Sequence, residues 1–211
     1  MAGTIEATET HADDHGGHGE HESFGIDNRK LGMWLFLSSE FLFFGALITN
    51  YLVYGNDSFG GTVVPREIYD IPFTSISSFV LLMSSLTMVL AHHSLSRGDQ
   101  NGTRTWLLAT ALLGSLFLGG QVFEFYEFIN VYGMTLTTNP ASSAFFMLTG
   151  FHGAHVAIGV IMLLSLFGMS RRQGGLSEKS GMNLELVGLY WHFVDIIWIV
   201  IFTIVYLLGA V

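Results

Sequence analysis

The sequence predicts an all-α integral membrane protein, a bundle of five transmembrane helices. Half of its 211 residues are hydrophobic and only 12% are charged, well below the roughly 25% charged residues usual in soluble domains. Five apolar stretches are also each long enough for the roughly 20 residues that a helix needs to cross a bilayer. We interpret each stretch as a helix, because a lone strand would leave backbone polar groups unpaired in lipid.

The apolar stretches divide the chain into a short tail and a membrane domain. We predict a tail at residues 1–28 and a membrane domain at residues 29–211, without an internal repeat or a soluble domain. The predicted helices cover about residues 31–54, 72–95, 105–129, 141–169 and 186–210. Polar segments rich in Gly, Asn and Asp follow several of these stretches, as expected of the loops between helices.

Basic residues predict the orientation of the bundle, because short cytoplasmic loops retain Lys and Arg. The side that carries the tail has seven of them, against only Arg66 on the opposite side. These seven are Arg29, Lys30, Arg97, Arg104, Arg171, Arg172 and Lys179. We therefore expect the amino terminus in the cytoplasm and the carboxyl terminus outside.

The tail is polar, Gly-rich and acidic, a composition that cannot bury enough apolar surface to fold. We expect it to be disordered, and it lacks the basic region and apolar core of a signal peptide. Its four histidines, His11, His15, His18 and His21, could chelate a divalent metal. Flexible ligands lose ordering entropy on binding, however, and no supporting shell of partners is evident. We interpret the tail as solvated and assign no metal to it.

Composition also excludes several classes of site. The chain has no cysteine, which excludes disulfides, thiolate metal sites and a thiol nucleophile. The formal net charge is -9, and the acidic residues concentrate in the tail. This balance argues against nucleic acid as a partner.

Ionisable residues inside the apolar stretches are the main candidates for function, since each costs a few kcal/mol or more in mid-membrane unless it has a partner or a task. Three pairs have members three residues apart, which places both members on one helical face. We therefore expect each pair to point into the bundle; the pairs are Glu124 with Glu127, His152 with His155, and His192 with Asp195. At 1.5 Å per residue, Glu40 and Asp195 lie at similar depths near mid-membrane and could share a network. The full set is Glu40, His92, His93, Glu124, Glu127, His152, His155, His192 and Asp195, with Gln121 as a further polar residue.

The spacing leaves four interpretations open. Glu and His at three-residue spacing on facing helices can form a carboxylate-bridged metal centre. His152 or His155 could ligate a haem together with His192, as in a membrane cytochrome. Glu40 and Asp195 could form the proton relay of a transporter. The fourth interpretation is a buried hydrogen-bonded network that neutralises itself.

The structural network is the interpretation that spacing favours. Glu124 and Glu127 lie near the outer end of the third helix, well above Glu40, so the ionisable groups do not converge at one depth. The fourth helix also carries small residues that would let another helix approach closely, namely Gly150, Gly153, Ala154 and Gly159.

Four segments together resemble subunit III of the haem-copper terminal oxidases. They are LGMWLFLSSEFLFFG at 31–45, LAHHSL at 90–95, FFMLTGFHGAHVAIG at 145–159 and LYWHFVDIIWIVIFTIVYL at 189–207. The resemblance spans essentially residues 29–211. Many members of this family have seven helices, and the chain resembles the shorter bacterial forms that begin at what would be the third.

The resemblance implies a division of labour. In such oxidases the haems and copper lie in subunits I and II, which reduce oxygen and pump protons in the bacterial cytoplasmic membrane. Subunit III carries no redox centre or catalytic residue, packs against subunit I and holds phospholipid in a cleft. The resemblance therefore implies no haem, copper or other metal in this chain. Glu40, His152, His155, His192 and Asp195 would form a buried polar network beside the lipid cleft.

The resemblance also bears on the electron donor. Ser39-Glu40 and the paired His92-His93 resemble cytochrome c oxidases, whereas the related quinol oxidases tend to place Asp after that Ser and lack the paired His. The His-rich acidic tail, in contrast, is similar to tails of the quinol-oxidase subunit. We expect cytochrome c as the donor to the complex, with quinol as the alternative.

Overall fold

The computed structural model describes residues 27–54, 70–171 and 178–208, with the side chains of 178–180 excepted. Five helices make up these ranges: α1 (Asn28–Tyr54), α2 (Ile71–Ser96), α3 (Gln100–Asn130), α4 (Pro140–Ser170) and α5 (Glu178–Phe202). A π-helical turn, Thr203–Leu207, continues α5. Within these ranges we find no strand, and all five helices are long and apolar enough to cross a membrane. The prediction of an all-α bundle with five membrane-spanning helices is confirmed.

Several predictions fall outside the described residues. These are the disorder of nearly all of the tail, its histidines His11, His15, His18 and His21, and the basic residues Arg66 and Arg172. The side chain of Lys179 also falls outside them.

Helices α1 to α4 each begin at a side chain that caps the first backbone N–H groups, which have no partner within the helix. Asp27 accepts from the N–H of Arg29 at the start of α1. Asp70 accepts from the N–H of Phe73 at the start of α2. Asp99 accepts from Asn101 and Gly102, so α3 begins at Gln100, five residues before the apolar stretch that predicted it. Asn139 caps α4, whose first residue is Pro140, where a missing N–H costs nothing.

Helix packing places α5 between α2 and α4 and leaves α1 at the edge of the bundle. α2 packs mainly on α3, α3 packs on α4, and α5 contacts both α2 and α4. α1 contacts α4 and α5 through a narrow seam, Leu37, Phe44 and Tyr51. These three residues are seven apart, the spacing that keeps one stripe of a helix against its neighbours.

Hydrogen bonds from indole rings join α5 to α2 deep in the bundle. Trp191 Nε1 donates to Ser84 Oγ at 3.0 Å, and Trp198 Nε1 donates to Ser78 Oγ at 2.9 Å. The numbering rises along α5 as it falls along α2, so the two helices are antiparallel. Both tryptophans and both serines are buried, and each pair satisfies polar groups that lipid could not.

The small residues of α4 serve a different purpose from the close helix approach predicted for them. Gly159 accommodates the Trp191 ring, and Gly153 accommodates the Gln121 amide. Gly150 has only a side-chain atom of Phe125 nearby, while Ala154 is exposed. The sequence indicated where space was needed, but not that large side chains, rather than a neighbouring backbone, would fill it.

Candidate functional site

A carboxylate–imidazole pair joins α1 to α4 halfway along the bundle. Glu40 Oε2 lies 3.1 Å from His155 Nε2, and the two side chains are 19% and 14% exposed. The other ring nitrogen, His155 Nδ1, lies 2.7 Å from the carbonyl oxygen of Phe151, so it carries a hydrogen and donates. The hydrogen bond between Glu40 and His155 then requires one further shared proton, which makes the pair neutral overall. Neutrality is what makes such a pair tolerable in lipid.

A second polar cluster joins α2 to α5 and contains two of the predicted residues. Ser85 Oγ lies 2.6 Å from His192 Nδ1, and the Asp195 carboxyl lies near the same hydroxyl. The hydrogen bond between Ser85 and His192 joins α2 to α5. Asp195 is 5% exposed, and its Oδ1 has no hydrogen-bond partner among the described residues.

His152 belongs to neither cluster. It is fully buried, and its ring stacks on Trp198 with centroids 4.8 Å apart and an interplanar angle of 25°. The edges of Phe117 and Phe44 surround it, and neither ring nitrogen has a hydrogen-bond partner among the described residues. Three residues along a helix turn by about 300°, which leaves about 60° between two side chains. That angle is enough to direct His155 towards α1 and His152 towards α3 and α5.

A third cluster lies near the end of the bundle where α3 ends, and it contains Glu124, one of the two predicted glutamates of that helix. Glu124 is buried, and its carboxyl group accepts from Thr74 Oγ at 2.9 Å and from the Tyr206 hydroxyl at 3.1 Å. Tyr206 reaches it from the π-helical turn, a deviation from α-helix that changes the direction of the side chains. Glu127 is partly buried, so Glu124 is the member of this pair that lies inside the bundle.

The remaining secondary candidates, Gln121, His92 and His93, have separate environments. Gln121 Nε2 donates to the carbonyl oxygen of Thr149 at 2.7 Å. His92 and His93 are exposed and line a cavity of about 390 Å³ between α2 and α5. The hydrogen bonds of the described residues therefore do not join the predicted residues into one network, and they do not connect Glu40 with Asp195.

A groove beside these clusters runs between α1 and α5. Its volume is about 530 Å³, and it is lined by Trp34, Leu37, Ser38, Phe41, Leu42, Leu189, His192, Phe193 and Ile196. Leu189 and His192 also line the neighbouring cavity that contains His92 and His93. An apolar groove thus adjoins a cavity with three histidines, and together they have the shape and polarity of a site for an amphipathic molecule.

The geometry bears on the metal and haem interpretations. Among the described residues, no group of three or more His, Asp or Glu side chains is arranged to hold a metal ion. His152 is enclosed by aromatic rings, His155 pairs with α1 and His192 bonds α2. These histidines face different helices, which does not fit a haem held between α4 and α5.

Sequence reasoning missed the partners that organise these clusters. They are Thr74, Ser78, Ser84 and Ser85 on α2, and Tyr190, Trp191, Trp198 and Tyr206 at the end of the chain. A signal was present, because Trp191 and Trp198 are seven apart and α2 is unusually rich in hydroxyl side chains.

Comparison with known proteins identifies the family. Residues 10–210 match the family described as cytochrome c oxidase subunit III. The quinol oxidase subunit 3 of Bacillus subtilis is 37% identical over 179 residues, which cover 85% of this chain and 86% of the relative. The cytochrome c oxidase subunit 3 of the same organism is 38% identical over 184 residues, 87% and 88% of the two chains. That of Synechocystis is 36% identical over 208 residues, 99% of this chain and 85% of the relative. The chain therefore belongs to the cytochrome c oxidase subunit III family, within the haem-copper terminal oxidases.

Proposed function

We propose that this chain is the non-catalytic subunit III of an oxygen-reducing, proton-pumping cytochrome c oxidase. In this role it packs against the catalytic subunit, subunit I, within a complex that also contains subunit II. It stabilises subunit I, binds phospholipid and sustains proton uptake. The observation that carries the proposal is the family match over residues 10–210, which extends through all five helices.

The arrangement of the polar groups supports a non-catalytic role. Glu40 and His155 hydrogen-bond each other, Glu124 hydrogen-bonds Thr74 and Tyr206, and His192 hydrogen-bonds Ser85. Each of these contacts joins two helices, which is the usual use of polar groups in a membrane bundle. The haem and copper of the complex are accordingly assigned to the partner subunits.

The groove between α1 and α5 is the proposed phospholipid site. Its lining is mainly apolar, and its polar neighbour cavity contains His92, His93 and His192. Acyl chains would lie along Phe41, Leu42 and similar side chains, with the head group near the histidines. The Glu40–His155 pair and the Asp195 cluster would hold α1 and α5 in place on either side.

We propose an orientation with the amino terminus in the cytoplasm, in the cytoplasmic membrane of a bacterium. Lys30, Arg97, Arg104 and Arg171 lie at the end of the bundle where α1 and α3 begin and where α2 and α4 end. Lys30 Nζ pairs with Glu185 Oε1 of α5 at 2.7 Å at this end. The excess of basic residues assigns this end to the cytoplasm.

The donor to the complex is proposed to be cytochrome c, based on Ser39-Glu40 and His92-His93. Quinol is the second candidate, because relatives named for quinol and for cytochrome c are 37% and 38% identical to this chain. Oxygen consumption by the purified complex distinguishes the two: the proposal expects turnover with reduced cytochrome c, whereas turnover with quinol alone assigns the complex to the second class.

The role of this subunit is tested by removing it. This chain should first co-purify with the haem-containing subunits. Depletion of this chain should leave the haem absorption spectrum intact and the initial rate substantial. The rate should then decline with the number of turnovers, because loss of a lipid-filled cover alters solvation at the proton entrance. Re-addition of the chain with phospholipid should restore sustained turnover. Immediate loss of a haem band, or a depleted enzyme that keeps its full rate indefinitely, would contradict the proposal.

A further inference from the structure

A second groove, separate from the one between α1 and α5, lies between α3 and α4. It has a volume of about 350 Å³ and is lined by Arg104, Thr105, Leu108, Ala109, Leu112 and Phe167. Arg104 lies at the end where α3 begins, and Leu112 lies eight residues further along the helix, about 12 Å deeper. The groove therefore leads from a guanidinium group at the end of the bundle into its apolar middle.

A second guanidinium group lies at the same end of this groove. Arg171 follows the last residue of α4, and its Cζ lies 5.8 Å from the centroid of the Phe167 ring. Phe167 itself lines the groove. Two arginines from different helices thus lie at one end of an apolar groove, whose lining residue Phe167 contacts the guanidinium group of Arg171.

The guanidinium group of Arg104 is fixed in position but not fully used. Its Nε and Nη2 donate to the carbonyl oxygen of Ser170 at 3.0 and 2.6 Å, and its Nη1 donates to Asn101 Oδ1 at 3.4 Å. A guanidinium has five N–H donors, so two remain. In the described part of the chain, neither Arg104 nor Arg171 forms a salt bridge with a carboxylate.

The electrostatic balance at this end of the groove is positive. The carboxyl end of α4 contributes roughly half a negative charge, and Arg104 already contacts the carbonyl group of its last residue, Ser170. The capping carboxylate of Asp99 adds one negative charge at the start of α3, whose amino end contributes roughly half a positive charge. The two full positive charges of Arg104 and Arg171 therefore still outweigh the negative groups at this end. Both arginines would attract an anion placed here, as basic residues near a membrane surface attract anionic lipids.

We propose that the groove between α3 and α4 binds one anionic phospholipid. The phosphate contacts the free N–H donors of Arg104 and the guanidinium of Arg171, and an acyl chain lies along Leu108, Leu112 and Phe167. The apolar lining requires a lipid rather than free phosphate. A zwitterionic lipid is disfavoured because its ammonium group would face the same two arginines. The site shares no residue with the α1–α5 groove, and it depends only on the location of the chain in a membrane.

Native mass spectrometry of the intact oxidase complex tests this site. The complex is delipidated in detergent and titrated with dioleoylphosphatidylglycerol or dioleoylphosphatidylcholine, and the lipid retained on this chain after gas-phase dissociation is measured. Arg171→Gln should lower phosphatidylglycerol binding about five-fold, which corresponds to about 1 kcal/mol, with little effect on phosphatidylcholine. Ala109→Phe fills the groove while keeping both arginines, and it should lower retention of both lipids.

The matched control is Arg97→Gln, which removes an exposed arginine at the same end of the bundle but outside the groove. It should leave lipid retention unchanged. Because the α1–α5 groove can also retain lipid, the decisive quantity is the difference between Arg171→Gln and Arg97→Gln. Equal losses in these two variants would mean that the basic rim attracts anionic lipid non-specifically, and the proposal would be wrong. Equal retention of the two lipids by the unmodified complex would also overturn it.

Discussion

The indole ring of Trp191 on α5 occupies the space that Gly159 leaves on α4. A Cβ atom at Gly159 would lie 2.7 Å from two ring carbons, and one at Gly114 on α3 would lie 2.5 Å from the far edge of the same ring. Trp191 Nε1 is hydrogen-bonded to Ser84 on α2. One side chain therefore contacts three neighbouring helices and has little freedom to move.

Gly159→Ala should destabilise the bundle by about 1–3 kcal/mol, the usual cost of overpacking a closely packed core. The change in the free energy of unfolding can be measured by unfolding the full chain in mixed micelles and monitoring its helix content by circular dichroism. Gly168→Ala on the same helix is the matched control, since a Cβ there meets nothing within 4 Å. The control should match or exceed the unmodified chain, because Ala favours helix over Gly. Equal stabilities of the two variants would mean that the Trp191 ring can shift.

The Glu40–His155 pair predicts an energetic coupling between α1 and α4. Glu40→Ala and His155→Ala should each destabilise the bundle by about 1–3 kcal/mol, because each leaves a largely buried partner without its hydrogen bond. The double variant should cost less than the sum of the two, with a coupling of about 0.5–3 kcal/mol. The same unfolding assay, applied to all four members of the cycle, gives this quantity. Additive effects would show that the 3.1 Å contact contributes no free energy.

Ser85 should matter more than other serines because its hydroxyl hydrogen-bonds His192 on another helix and lies near the buried Asp195. We expect Ser85→Ala to release this chain from the detergent-extracted complex more readily, at a cost of about 1–3 kcal/mol for the groups left unsatisfied. Asp195→Asn should also release the chain more readily but to a smaller extent, since it keeps the shape of the side chain and leaves the hydrogen bond between Ser85 and His192 in place. Ser165→Ala is the control, because that exposed hydroxyl bonds only within its own helix. Retention of Ser85→Ala equal to that of the control across a detergent series would contradict the prediction.

Orientation can be tested on a clean background, because the chain contains no cysteine. A cysteine at Thr137, exposed in the connection between α3 and α4, should react with an impermeant maleimide in intact cells. A cysteine at Ser96, exposed at the end of α2, should react only after the membrane is permeabilised. The reverse pattern would place the amino terminus outside and make the basic-residue argument wrong for this chain.

The sequence was sufficient to predict the number and approximate limits of the membrane helices, since length and hydropathy decide whether a segment crosses lipid. It was insufficient to predict the exact ends of the helices, because capping side chains determine at which residue a helix begins. Asp99 extends α3 to Gln100, and α5 begins at Glu178 rather than near residue 186. Polar side chains that precede an apolar stretch can continue the same helix beyond the hydrocarbon, and a hydropathy pattern does not register them.

For the candidate site, the sequence indicated which ionisable residues lie inside the membrane, where each costs free energy, but not which of them hydrogen-bond each other. Glu40 and His155 are 115 positions apart, and nothing local distinguishes His155 from His152 as the partner. Helix rotation and packing decide that choice, and a difference of about 60° directs the two rings towards different neighbours. Serines were overlooked because a hydroxyl in a membrane helix can bond its own backbone, so Ser84 and Ser85 resemble Ser75 until the neighbouring helix is known.

The antiparallel contacts of α5 with α2 have a consequence for biogenesis. Trp191, Trp198 and Tyr206 leave the ribosome last, yet they complete hydrogen bonds whose other members, Ser84, Ser78 and Glu124, were inserted into the membrane much earlier. Until α5 enters, the nascent chain presents these polar groups, and the empty space beside Gly114 and Gly159, to lipid. A chain truncated before α5 would keep them exposed, which gives membrane quality-control proteases a means to distinguish incomplete from finished copies before assembly.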